Sequence, residues 1–432
     1  SILQQLLFKS RIQVSSADIE SILIHAYLEY GISFIDYLKG KFVIALYDSR
    51  IEKVFLIRDK LGFQQLFYYQ DSEKLIFSTR LKSILSTRLT RKDICIEALN
   101  QYICLTYIPA PRTIFAGIRK VLAGHYIEFD NSGNYQQKQY WNIKYNEDDL
   151  IHEYNLCKTT LRKTLFETVE TSLKSHTSCG TFLSGGIDST IISGISAKIS
   201  KEPIHAFTIG YKRDNLDESK LAAYSAEKHG LIHHIHYLEF EEIVSELDNL
   251  INNLDEPFAD ASYLPSFSIM KFAGQYVDCM LSGDGGDELF AGYSKYLIGY
   301  YSDRFNRLPH WSKKLFRSTV NVLPDTSSLT RKLRKVVNNA ESDVFEQRKA
   351  LMCLGFKEWN LSALLKQKYQ SYKPLQFIKN YYDSLDQTSD ELSRALYVDL
   401  KVVLEGDMLS KMKIASRLAG VQVQSPLLFD DI

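Results

Sequence analysis

The stretch GTFLSGGIDSTII, residues 180–192, constrains the fold more than any other part of this chain. An apolar run stops at Ser184-Gly185-Gly186, and a segment with helical spacing begins directly after it. A buried strand that passes into a helix through a tight glycine turn is the repeating unit of a parallel sheet, whose neighbouring strands need crossover connections. The same grammar returns twice. IHAFTIG (204–210) precedes a polar loop and another helical pattern, and VDCMLSG (277–283) again ends in glycines. Short apolar runs alternating with helices predict βαβ units and a parallel sheet covered on both faces.

The first part of the chain reads differently. Residues 18–30, DIESILIHAYLEY, place Ile19, Ile22, Leu23, Ala26 and Tyr27 on one helical face, with Gly31 as the stop. KFVIALYD and KVFLIRD flank SRIE, and QLFYYQ and KLIFST flank DSE, which predicts two β-hairpins between 41 and 80. A further β-rich stretch runs from RTIFAGIRKVLAGHYIEFD to QYWNI, and the polar bridge KYNEDDLIHEYN (144–155) marks the expected domain boundary. The expected domains are residues 1–143 and 156–432. A chain of 432 residues exceeds one ordinary core, so two domains are the natural division. From about 300 onward the pattern is mostly helical and rich in Lys and Arg.

Composition removes several function classes. Lys+Arg and Asp+Glu balance at 52 each, so no global field advertises a nucleic-acid or anionic-membrane partner. No apolar run reaches the roughly 18 residues of a membrane span. The six cysteines are scattered without a C-x-x-C pair, which predicts buried free thiols in a reducing, cytoplasmic setting.

In an open parallel sheet, ligands bind beyond the C-terminal strand ends. LSGGIDST (183–190) supplies glycines that let backbone N–H groups approach an oxyanion, and the helix starting near Ile187 aims its positive end there. Ser184 and Ser189 can donate hydroxyl hydrogen bonds, and Asp188 can hold a divalent cation against phosphates. Neither a Walker loop, nor a dinucleotide fingerprint, nor a nucleophile elbow fits these residues. The plain alternative is a tight strand–helix turn. LSGDGGDELFAGY (281–293) adds Asp284, Asp287 and Glu288 at another strand end, a density that suits Mg²⁺ with phosphates; the plain alternative there is a solvated acidic turn.

SGGIDS (184–189) resembles the pyrophosphate-binding loop of the ATP pyrophosphatases. LDEPFADASYLPSF followed by LSGDGGDELFAGYSKY resembles the synthetase half of the class II asparagine synthetases. YIPAPRTIFAGIRKVLAGHY…YW (107–141) and FVIALYDSRIEKVFLIRDKLGFQQLFYY (42–69) extend the resemblance over essentially the whole chain. It implies an α+β, Ntn-hydrolase-like (αββα) glutaminase-type domain, then an α/β ATP-pyrophosphatase-like domain with helical C-terminal additions. It also implies ATP and Mg²⁺ as cofactors, with pyrophosphate leaving over Ser184, Gly185, Gly186 and Ser189, and with Asp188 and Asp287 as metal ligands. Leu183, Ile209, Gly210, Ser282 and Gly283 match positions lining the adenylate pocket. Asp284 matches a position near the acyl-adenylate and the entering amine. Lys411 matches the lysine that stabilises charge on the polyphosphate; from its basic neighbours Lys413 and Arg417 alone, a solvated face reads equally well. The implied partners are a carboxylate acceptor, aspartate favoured, and glutamine or ammonia, and homodimers are common in the family.

Several residues depart from that family. The chain begins Ser1-Ile2-Leu3 and its first cysteine is Cys95, so no N-terminal nucleophile and no NGE segment is present. A longer natural N-terminus is expected, because the hairpins would otherwise face an absent partner sheet and leave apolar surface bare. SPLLFDDI at the end likewise resembles a mid-domain motif. SADIE (16–20) places Asp18 as a binder of the glutamine α-amine. The family's K-x-D-R reads Lys411-Met412-Lys413-Ile414, and its E-x-R reads Gln422-Val423-Gln424, so the acceptor need not be free aspartate. The same scaffold is known for closing β-lactams, cyclising peptides and amidating sugar acids. A catalytically dead ATP-binding scaffold is the reading from a different class.

Overall fold

The computed structural model describes residues 18–145, 150–212, 217–324, 328–339, 344–371, 373–385 and 390–432. Part of the 144–155 bridge, residues 146–149, lies outside the described residues. Helix α1 (Ile19–Tyr30) is capped by Asp18, whose Oδ1 accepts from the Glu20 N–H at 3.2 Å, and it stops at Gly31.

Both predicted hairpins form. β1 (Val43–Asp48) pairs antiparallel with β2 (Lys53–Arg58), and β3 (Phe67–Gln70) with β4 (Leu75–Ser78). β5 (Ile118–Lys120), β6 (His125–Phe129) and β7 (Tyr135–Gln139) complete a β1-β2-β6-β7 sheet and a β4-β3-β5 sheet. Period-two alternation sorts their side chains into layers. Phe55, Ile57 and Tyr126 pack on α1 and the turn carrying Phe34 and Ile35. Leu56, Ile127 and Phe129 instead meet Leu66, Tyr68 and Val121, which joins the two sheets face to face. Phe67, on the far side of the second sheet, packs under the helices Leu81–Ser86 and Ile96–Leu105. The expectation of a missing partner sheet is therefore corrected: each sheet covers the other.

The second half is built on a five-stranded parallel sheet: β8 (Cys179–Phe182), β9 (His205–Gly210), β10 (Ile232–Tyr237), β11 (Cys279–Leu281) and β12 (Gln422–Gln424), in the order β10-β9-β8-β11-β12. α2 (Tyr154–Lys174), α3 (Ile187–Ile199) and α4 (Ser219–His229) cover one face. α5 (Tyr263–Ala273) and α6 (Ser410–Ala419) cover the other. Strand β12 is a fifth member that hydrophobic patterning does not announce, since Gln422 and Gln424 flank a single valine. All six cysteines are free. Cys104, Cys279 and Cys353 are buried and Cys95 and Cys179 half-buried, but Cys157 is exposed, against expectation. It sits in the early turns of α2, whose buried residues begin only at Leu165.

Charged groups tie the halves together. Arg58 at the end of β2 is 1% exposed and bonds Glu405 Oε1 at 2.6 Å, while donating to the carbonyls of Gly62, Gln64 and Val121. Glu405 lies in Asp399–Leu409, a segment wound in wide π-type turns that leads into α6. Arg80 with Asp255, and Lys120 with Glu256, join the same halves elsewhere. Removing one partner of such a buried pair strands the other charge. Arg58→Met should therefore lower unfolding free energy by about 3–5 kcal/mol, read from urea denaturation, whereas Lys39→Met, which breaks an exposed pair with Asp431, should cost under about 1 kcal/mol.

Candidate active site

The strand order reverses between β8 and β11: the chain runs outward through β9 and β10, then returns to the other side of β8. Such a switch point opens a crevice, because the connections on its two sides leave in opposite directions. The two glycine turns sit at that crevice. After β8, Gly185 adopts φ +81, a left-handed conformation that a side chain would strain. The Ser184 N–H donates to Ser189 Oγ at 3.2 Å, and the Gly186 N–H donates to Ser184 Oγ at 3.2 Å. Gly186 then caps α3 without any side-chain hydrogen bond, leaving the start of the helix open to a ligand.

After β11 the second turn lies directly against the first. A Cβ at Gly286 would stand 2.5 Å from Asp188 Cγ, and one at Gly283 would stand 2.9 Å from Asp188 Cβ. Glycine at both positions is what lets the loops meet. The cavity they border is about 740 Å³, large enough for a nucleotide with a second small molecule. Leu183, Ser184, Gly186, Asp188 and Ser189 line it from the β8 side, and Ile209 from β9. Ser282, Gly283, Asp284 and Asp287 line it from the β11 side, and Lys411 from α6. Gly185 and Gly210 stand behind this wall: added Cβ atoms would meet Leu221 at 2.8 Å and the Tyr237 ring at 2.6 Å. Asp18 belongs to the cap of α1 in the other half and does not border this cleft.

The carboxylates in the cleft carry strained charge. Burial, then the nearby Asp287, pushes the Asp188 carboxyl up; burial does the same for Asp287, opposed by Lys295. Burial also raises Asp284, against the ammonium groups of Lys411 and Lys41, and its Oδ2 has no hydrogen-bond partner. Among the described residues no group of three or more His, Cys, Asp or Glu side chains assembles a metal site. Asp188 and Asp287 both border the cleft, a number of carboxylates that would fit Mg²⁺, a cation that completes its shell with water and phosphate oxygens.

Lys411 is not on a solvated face. Its side chain is 8% exposed, with Nζ 2.8 Å from Ser262 Oγ and 3.1 Å from Asp260 Oδ2. Asp260 also accepts from the Ser262 N–H at 2.8 Å and hydroxyl at 2.6 Å. Desolvation pushes Asp260 up, but the Lys411 ammonium and the Ser262 donors outweigh it and hold the carboxyl below its ordinary value. Asp260 and Ser262 were not singled out from sequence; the D-A-S within LDEPFADASYLPSF is the only local signal. Neither was Asp407, one turn before Lys411, which burial and Asp260 push up to about 7.

Two aspartate-bearing glycine turns meet at the switch point of a parallel sheet, and a buried lysine lines the same cleft, the place where open α/β domains bind their ligands. The asparagine synthase family matches residues 160–432, and a glutamine amidotransferase domain matches residues 1–141. The chain belongs to the asparagine synthase family. Glutamine-hydrolyzing asparagine synthetase 1 of Bacillus subtilis is 26% identical over 414 residues, covering 94% of this chain and 63% of that protein. Asparagine synthetase 2 of the same organism, also glutamine-hydrolyzing, is 31% identical over 299 residues, covering 63% and 39%. An amidase of Penicillium rubens is 29% identical over 308 residues, covering 67% and 45%. The chain thus spans less than two thirds of the length of each of these relatives. A glutamine-dependent NAD+ synthetase from Acinetobacter baumannii superposes at a TM-score of 0.26 and 13% identity, covering 68% of this chain and 72% of that one, a likeness too slight to bear on the fold.

Asp407 provides a test of the site's electrostatics. Its folded pKa lies above the unfolded value, so its contribution to stability is fully present below about pH 4 and is lost as pH rises through about 7. Asp407→Asn should accordingly be more stable than the parent at pH 8 by more than about 1 kcal/mol, with the gain shrinking toward pH 5 in denaturant titrations at both pH values.

Proposed function

We propose that the chain is an ATP-dependent amide-forming ligase that activates a carboxylate as its acyl-adenylate and opens it with ammonia. The observation that carries this reading is the meeting of SGGIDS and SGDGGD against Lys411 in one cleft. A carboxylate does not condense with an amine in water without activation. In the proposed sequence an acceptor carboxylate oxygen attacks the α-phosphorus of ATP and pyrophosphate leaves. Ammonia then attacks the acyl carbon, and AMP leaves with the carboxylate's oxygen.

The residues divide the work. The open start of α3 and the hydroxyls of Ser184 and Ser189 receive the departing pyrophosphate. Asp188 and Asp287 would hold Mg²⁺, which supplies charge neutralisation on the phosphates when bound. Lys411, fixed by Asp260 and Ser262, places a positive charge where negative charge develops, and its burial makes that charge count for more than it would in water. Asp284, raised by burial and with one oxygen free, stands ready to orient or accept a proton from the entering amine. The layered front half supports an Ntn-hydrolase-like glutaminase that would feed ammonia to this cleft, with Asp18 engaging the glutamine α-amine. Domain limits of 1–143 and 156–432, a cytoplasmic setting and a homodimer complete the reading.

Aspartate is the first acceptor to try. The neutral and reversed residues Lys413, Ile414, Gln422 and Gln424, together with the relative named an amidase, favour as second reading an acceptor of another shape. Pyrophosphate release from Mg-ATP should require the acceptor and should vanish in Asp188→Asn; an unimpaired variant would remove Asp188 from the metal site. Lys411→Ala should cut kcat about 100-fold or more, the cost of losing one preorganised donor, while changing the KM for ATP little. The reverse pattern would make Lys411 a binding group only.

A further inference from the structure

Cys179 and Cys279 are the first residues of β8 and β11, and the parallel register sets them directly opposite one another. Paired residues on neighbouring strands point to the same face of the sheet. Here that is the face covered by α2 and α3. Cys279 belongs to the cluster of Leu165, Val169, Ile192 and Ile195, and Cys179 packs against the same cluster. Neighbouring strands lie about 4.7–4.9 Å apart, within the span of about 4.4–6.8 Å between Cα atoms that a disulfide bridges. The pair is also unequal. Cys279 is wholly buried, whereas Cys179 is half-buried. Asp278, immediately before Cys279, and Thr177, two residues before Cys179, are exposed, so the pair lies just inside the surface.

The hydrogen bond with the Cys279 thiol, against burial and the Asp278 charge, holds the Cys179 thiol below its ordinary value; the same bond, with burial, pushes Cys279 up. A reachable thiol of lowered pKa beside a buried one is the arrangement of an attacking and a resolving cysteine. Cys104 and Cys353 also share a cluster, but both are buried, and burial pushes them up to about 12 and about 11. We propose that Cys179 and Cys279 are a redox pair, closed to a disulfide by a low-molecular-weight disulfide and reopened by thiols, and that closure weakens nucleotide binding in the cleft. The Cys179 thiolate attacks one sulfur of the oxidant and expels the other as a thiolate. Cys279 then gives up its proton and attacks the Cys179 sulfur, expelling the second thiolate. The two cysteines lose two electrons, the oxidant gains them, and the two protons end on the two released thiols. Cβ atoms of paired residues keep roughly the strand spacing, about 4.7–4.9 Å, whereas a disulfide holds them about 3.8 Å apart. Closure therefore draws the starts of β8 and β11 together by about 1 Å. The glycine turns at the other ends of the same strands have no slack to absorb this, since Asp188 already fills the space beside Gly283 and Gly286.

The test is non-reducing peptide mapping of the full chain after incubation with glutathione disulfide. The peptides of Cys179 and Cys279 should be joined, with the loss of two hydrogens, and separate again in dithiothreitol. Cys279→Ala should stop at a mixed disulfide of glutathione on Cys179, and Cys179→Ala should leave Cys279 unmodified. The exposed Cys157 serves as the internal control for the reagent. Glutathione on Cys157 with Cys179 and Cys279 still free would overturn the pair. In calorimetry with α,β-methylene-ATP and Mg²⁺, the oxidised chain should bind about 10-fold or more weakly than the reduced chain, because a displacement of about 1 Å is costly to a preorganised site. Dithiothreitol should restore the affinity, and Cys157→Ser should show the same loss. Equal affinity in the linked and reduced chains would overturn the effect on the cleft. That effect rests on reading the cleft as the nucleotide site: a reduced chain that fails to bind the analogue overturns that reading and the effect with it, while the peptide map decides the thiol pair separately.

Discussion

The adjacency of β8 and β11 is the constraint on which the rest of this structure depends. Parallel pairing of Cys179–Thr181 with Cys279–Leu281 brings two turns, separated by about a hundred residues of chain, to the same sheet edge. Their approach is closer than any side chain would permit, since Asp188 fills the space a Cβ would need at Gly283 and Gly286. That contact brings Asp287 near enough to Asp188 to add to the burial that pushes the Asp188 carboxyl up. The helices on the two faces and the helical additions beyond them hold this pairing in place.

Around the cleft, charge is stored rather than neutralised. Lys411 is clamped by Asp260 and Ser262, the Asp407 carboxyl is pushed up to about 7, and Asp284 keeps an oxygen without a hydrogen bond. A fully paired network would rigidify the site but leave nothing to engage a substrate. The segment Asp399–Leu409 links these features to the front half. Its wide turns carry Glu405 to Arg58 on one side and Asp407 toward Asp260 on the other. Wide turns of this type cluster at functional positions. Here they allow one short segment to serve both the joint between the halves and the cleft.

Much of the fold was legible because periodicity is local. The hairpins, α1 with its cap and stop, and the three strand–helix units at β8, β9 and β11 follow from alternation, helical spacing and glycine positions. β12 was not legible, because a three-residue strand with glutamines at both ends has no pattern of its own and exists only by pairing with β11. The mutual covering of the two front sheets was also missed. Alternation says that a strand has two faces, but it does not say which distant strand lies opposite. Within the site, the glycine–aspartate turns announced themselves. Gly185 and Gly210, however, act behind the cavity wall, where they let Leu221 and Tyr237 pack closely.

What the sequence by itself determined is the chemistry available at each strand end: flexible glycines, hydroxyls, carboxylates and one lysine near the end of the chain. These properties reside in single residues and short motifs, so they survive without coordinates. Only the tertiary structure decided which of those groups meet. Lys411 could have been one of several basic side chains on a wet helix, and Lys413 its equivalent two residues on. Packing of α6 between the parallel sheet and the front half instead buried Lys411 and the ammonium of the half-buried Lys413, giving Lys411 an aspartate and a serine while leaving the Lys413 Nζ without a hydrogen-bond partner. Burial and long-range contact fix the strength of a charge, and neither is encoded in the order of neighbouring residues.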